Sequence, residues 1–214
     1  MTPLECTLLS DGSSDRALIP IIEWLLRQHE TYSPRGIEHY NPGRFKHPPR
    51  SLHERIDHAV DNFPCDLLFI HRDAERGGLE QRAAEIRREL AQSVFGRVER
   101  TPAVLVIPVR MTEAWLLFDE ACIRAAAGCP RGNVPLNLPT LRDCEKLPDP
   151  KSALHRCLRL ATQKEGRHLK RFNVDSAIHL VAESSRDFSP LRRLGAFQRL
   201  EEDLISVLRE RNWN

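Results

Sequence analysis

At 214 residues, with 41% apolar and 29% charged side chains, the chain is long enough to bury a substantial core and too apolar to be disordered. Its formal net charge is only +2, and no run approaches the roughly 18 uncharged apolar residues that a membrane-spanning helix needs. Met1–Glu5 has neither the basic start nor the apolar core of a secretory signal, so a cytoplasmic location without membrane attachment is expected.

In chain order, Glu5-Cys6-Thr7-Leu8-Leu9 is a short β-prone run broken by Asp11-Gly12-Ser13-Ser14-Asp15. Apolar residues then recur at Ala17, Leu18, Ile21, Ile22, Leu25 and Leu26, which gives strand, turn and amphipathic helix ending near His29. Ser13 or Ser14 suits the N-cap, with Asp15 in the first turn favoured by the helix dipole. Gly36–Tyr40 is a short second strand, and Ser51–Asn62 a second helix with Leu52, Ile56, Ala59 and Val60 on one side. Asp66–Ile70 is continuously apolar after its first residue, the mark of a strand covered on both faces. Gly77-Gly78 precedes a helix over Leu79–Val94, Ala103–Val109 is a fourth strand, and Glu113–Ala127 a further helix. Prolines then punctuate 128–150 before helical patterns at Lys151–Thr162, Val174–Glu183 and Phe188–Arg211.

This order predicts an α/β fold: a three-layer core with a mainly parallel four-stranded, Rossmann-like sheet and right-handed crossovers over residues 1–127. Residues 128–214 form a connecting segment and a helical C-terminal part packed on that core. Residues 151–214 carry 13 Lys and Arg against 8 Asp and Glu, leaving residues 1–150 mildly acidic. Six irregularly spaced cysteines, with no Cys-x-x-Cys pair and no zinc-ligand spacing, are expected as reduced thiols. No nucleotide-cradling Gly-x-x-x-x-Gly-Lys-Ser/Thr loop, Gly-x-Gly-x-x-Gly, His-Glu-x-x-His or Gly-x-Ser-x-Gly is present.

Three acidic stations follow apolar runs: Asp11 and Asp15, Asp73 and Glu75, and Glu113. In open parallel sheets the functional crevice lies outside the carboxyl ends of the strands, so these acids can converge. Asp73 and Glu75, two apart at an extended strand exit, are expected on one side and able to share a Mg²⁺ or Mn²⁺ ion, completed by Asp11. Asp15 and Glu113 also suit helix-start acids, and His71 beside the site is a proton carrier or a structural hydrogen-bonder. Arg72 balances the acids or holds a phosphate. Lys164, Arg167, Lys170 and Arg171 form the densest basic group and are candidates for contacting nucleic acid.

Leu8-Leu9-Ser10-Asp11-Gly12-Ser13-Ser14-Asp15, followed by Leu67-Leu68-Phe69-Ile70-His71-Arg72-Asp73-Ala74-Glu75, resembles the two signature motifs of TOPRIM domains, the fold shared by topoisomerases, primases and OLD-type nucleases. Val106–Asp119, with Glu113-Ala114-Trp115-Leu116-Leu117 at its centre, and Leu147–Lys151 are similar to a narrower bacterial group of TOPRIM-like proteins expected beside an ATPase in phage-defence gene clusters. The resemblance implies Asp11 as general acid or base and Asp73 with Glu75 on the metal, and Glu113, the third acidic station, joins them in the expected catalytic set. It departs from the family in having Asp11 where Glu is usual and Glu75 where Asp is usual. The expectation is a magnesium-dependent nuclease acting on DNA or RNA with an ATPase partner. The alternatives are a non-catalytic binding subunit that has lost its metal and a small-molecule phosphohydrolase.

Overall fold

The computed structural model describes residues 1–94 and 101–213. Its centre is a four-stranded, all-parallel sheet of β2 (Cys6–Leu9), β4 (Glu38–Tyr40), β5 (Leu67–His71) and β6 (Ala103–Val106), in the order β4-β2-β5-β6. Leu9 pairs with Ile70 and His71 with Val106, so the carboxyl ends of the central strands lie side by side. A separate parallel pair, β1 (Thr2–Pro3) with β3 (Thr31–Tyr32), lies outside the four expected strands.

Alternation along the strands builds the three layers. Leu8, Phe69, Val104 and Val106 face one core and Leu9, Leu68, Ile70 and Leu105 the other. The second core is closed by α2 (Leu52–Asn62) through Ile56 and Ala59, and by α3 (Leu79–Gln92) through Ala83 and Ile86. Helix α2 begins where its sequence dictates: Ser51 caps it, its hydroxyl accepting from the Glu54 amide while the Glu54 carboxylate accepts from the Ser51 amide.

The first core is covered by α1 (Ile19–Gln28) together with the C-terminal half. There α4 (Glu120–Ala126), a single turn α5 (Leu141–Cys144), α6 (Pro150–Ala161), α7 (Gly166–Lys170), α8 (Val174–Ser184) and α9 (Gly195–Glu210) follow one another. Trp115, fully buried, stands edge-on to Phe197 of α9 at 5.5 Å between ring centroids. Sheet and C-terminal helices thus share one continuous apolar interior.

Three expected helices differ in detail. The first begins as a 3-10 segment, Ser13–Leu18, before Pro20 in the opening turn of α1, and neither Ser13 nor Ser14 caps it; the Gly12 amide instead donates to Asp15 Oδ2 at 3.0 Å. Glu113–Ala127 is a 3-10 turn, Thr112–Leu116, and then α4, whose start is set by the Asp119 side chain accepting from the Cys122 amide. Phe188–Arg211 is likewise divided, because Leu194 is extended between the 3-10 turn Ser189–Arg193 and α9. Among the described residues no helix is long and apolar enough to cross a membrane.

Candidate functional site

From β2 the chain crosses to β4 on one side, whereas from β5 it crosses to β6 on the other. The direction of winding therefore reverses between β2 and β5, and a crevice opens at their carboxyl ends. Asp11 and Asp15 follow β2, His71 ends β5, Asp73 follows it, and Thr112 and Glu113 follow β6. The expected stations all stand at this edge.

His71 is the buried pivot. Its Nδ1 donates to the Val106 carbonyl at 2.9 Å, which leaves Nε2 as the acceptor of the neutral ring. Around Nε2 stand Thr112 Oγ1 at 3.4 Å, Asp73 Oδ1 at 3.7 Å and Asp15 Oδ1 at 3.8 Å. Burial is the main force lowering the His71 pKa, against the opposing pull of Asp15. Thr112 Oγ1 also lies 3.4 Å from Asp73 Oδ1, so its single proton has two competing acceptors, Asp73 and His71 Nε2.

Asp73, its side chain 30% exposed, is pushed up to about 7, first by burial and then by the charges of Asp15 and Glu113. Glu113, with only 8% of its side chain exposed, is raised by burial; Lys151 Nζ at 3.9 Å and His155 oppose the shift. These are carboxylates that repel one another in a partly dry crevice. Asp15 and Glu113, not Glu75, are the acids whose charges act most on Asp73.

The other two expected ligands stand differently. Asp11, 47% exposed, has Oδ1 held by two guanidinium groups, Arg72 Nη1 at 2.8 Å and Arg55 Nη1 at 2.9 Å. Glu75, 69% exposed, lies 3.4 Å from Arg82 Nη2, and its φ of +50° breaks the extended alternation that would have set it beside Asp73. Arg82 governs that loop: its Nε donates to the Asp73 carbonyl at 2.9 Å and its Nη1 to Glu85 at 2.8 Å. Among the described residues no three His, Cys, Asp or Glu side chains are grouped so that they could hold a metal ion as they stand.

Beside the crevice lies a recess of about 480 Å³ walled in part by Glu75, Arg76, Arg82, Arg110 and Asp149. Arg110, like Glu75, is left-handed, with φ +67°. Lys164, Arg167, Lys170 and Arg171 are exposed on and around α7. Sequence reasoning overlooked Thr112, Arg55, Lys151 and His155. A threonine directly before Glu113 carries no signal, and Arg55 reaches Asp11 only through the docking of α2. Burial raises the Cys6 and Cys122 thiols to about 12, far from the range of a reactive thiolate.

Comparison with family models, with curated proteins and with solved structures gives no match to this chain. The fold and its crevice define the class: a parallel α/β protein with an acidic site at its switch point.

Proposed function

We propose that the chain is a magnesium- or manganese-dependent nuclease of TOPRIM-like type, cytoplasmic, acting on DNA or RNA in a bacterial defence setting with an ATPase partner. The observation that carries the reading is the Asp15–Asp73–Glu113 crevice, where burial and mutual repulsion lift the Asp73 carboxyl to about 7. Carboxylates so frustrated are relieved by a hard cation, and Mg²⁺ takes one or two of them while water and phosphate oxygens fill its remaining positions. Asp73 and Asp15, whose Oδ1 atoms both approach His71 Nε2, are the pair best placed for this. When bound, the ion polarises a phosphodiester and lowers the pKa of an attacking water. The chain's own groups do the rest.

His71, fixed in one tautomer by Val106, offers Nε2 as an acceptor for a proton at the crevice. Thr112 Oγ1 stands within 3.4 Å of both His71 Nε2 and Asp73 Oδ1 and can donate its proton to either. Arg76 and Arg110, which form no ion pair among the described residues, face the adjoining recess as a cradle for a backbone phosphate. Asp11 takes on a positioning task instead of a ligand's, since it clamps Arg55 and Arg72 at the crevice edge.

The test is cleavage of plasmid DNA and single-stranded RNA with Mg²⁺ or Mn²⁺, by wild type and Asp73→Asn, alone and with an adjacently encoded ATPase. Metal-dependent cleavage lost in the variant supports the reading; no cleavage under any of these conditions refutes it. The pairing of both Asp11 and Glu75 with arginines favours a second reading, a metal-free binding subunit of the same fold. That subunit would show no saturable Mg²⁺ binding and a stable complex with a protein partner.

A further inference from the structure

A second opening lies on the outer face of α6, remote in character from the acidic crevice. It is a groove of about 730 Å³ between α6, α7 and the loop that joins them. Arg156 and Arg159, three apart on α6, share one helical face, and Lys164 rises from the loop beside them. All three are exposed, and none has a carboxylate within ion-pair distance among the described residues. Glu165 is the single acid on the lining, so the groove is strongly electropositive.

The remaining wall is of a different kind. Leu160, 40% exposed, and Leu169 supply an apolar surface next to the cations. His155 also lines the groove, and its Nε2 is buried without a hydrogen-bond partner. Cations for a phosphate beside an apolar wall for a planar ring are the elements of a nucleotide site.

We propose that this groove binds a nucleotide, either free or as the 5′-phosphorylated end of a strand, with the phosphate on Arg156, Arg159 and Lys164 and the base against Leu160 and Leu169. The site stands apart from the nuclease reading, because it needs neither metal nor cleavage. Helix α6 links the two regions all the same: Lys151 and His155 on it both act electrostatically on Glu113.

Calorimetric titration of the whole chain in EDTA tests the proposal, with AMP, a 5′-phosphorylated oligothymidylate, its unphosphorylated counterpart and inorganic phosphate as probes. Saturable binding of AMP identifies the free nucleotide as ligand, and binding of the phosphorylated strand alone identifies a strand end. In either case Arg156→Gln with Arg159→Gln weakens binding at least tenfold, about 1.4 kcal/mol, and Leu160→Ser weakens AMP while sparing phosphate. Because these residues are exposed, the unfolding curve of each variant stays at wild type. Absence of binding to both AMP and the phosphorylated strand overturns the proposal. So does binding indifferent to the double substitution, or inorganic phosphate binding as tightly as the nucleotide.

Discussion

Replacing Asp73 by Asn should stabilise the metal-free protein at alkaline pH, and the size of the effect follows from the crevice itself. The carboxyl is raised from 3.8 to about 7 by burial and by Asp15 and Glu113. Its folded-state proton affinity exceeds its unfolded one, so the stability tied to this group is fully present below about pH 4. It falls as pH rises towards 7 and is constant above. Three units at about 1.4 kcal/mol each set a ceiling near 4 kcal/mol. A side chain 30% exposed is partly screened, so about 2 kcal/mol is the working figure. For a chain of this size that is a gain of roughly 4–8 °C in Tm. Asparagine keeps the shape and can still accept from Thr112. The assay is thermal and urea unfolding of both proteins in EDTA from pH 4 to pH 8. The expected difference is near zero at pH 4 and largest at pH 8. A difference independent of pH, or a variant less stable than wild type at pH 8, refutes the account of the crevice as electrostatically frustrated.

Asp11→Asn tests the placement of the other acid: with its partners at the rim, stability changes by less than about 1 kcal/mol, and Mg²⁺ affinity measured by calorimetry stays within about threefold of wild type. Glu75→Gln should behave the same way in that titration, whereas Asp73→Asn should abolish the metal signal. Trp115→Ala removes a fully buried ring packed on Phe197 and should cost about 3–5 kcal/mol in urea unfolding. Ser51→Ala deletes the α2 cap and should cost about 1 kcal/mol in the same measurement.

What could be seen in the sequence was whatever repeats with a period. The buried parallel strands declared themselves as unbroken apolar runs: Leu67–His71 fell where its run stood, whereas Ala103–Val106 stopped ahead of Pro108, three residues short of the run's end at Val109. The amphipathic helices declared themselves through 3.6-residue spacing. Breaks set by single side chains were hidden: Asp119 restarting the helix after a 3-10 turn, and extended Leu194 dividing the last helical pattern. At the site, the sequence placed every acid at the correct edge because strand ends are readable. It misjudged which acids face each other, because that depends on one left-handed residue, Glu75, and on arginines arriving from α2 and α3. Partners delivered by tertiary docking leave no local pattern.

The apolar interior shared by the sheet and the C-terminal helices has a practical corollary. Stopping the polypeptide at residue 127 would strip Leu154, Leu158, Ile178, Phe197, Leu200 and Leu204 from the core on the side of the sheet carrying Leu8, Phe69, Val104 and Val106, leaving α1, the Trp115 turn and α4 to cover it alone. Such a fragment is a recipe for clumping, so the acidic crevice cannot be studied as a minimal piece. Whatever chemistry the crevice performs, it comes physically tethered to the basic groove on α6.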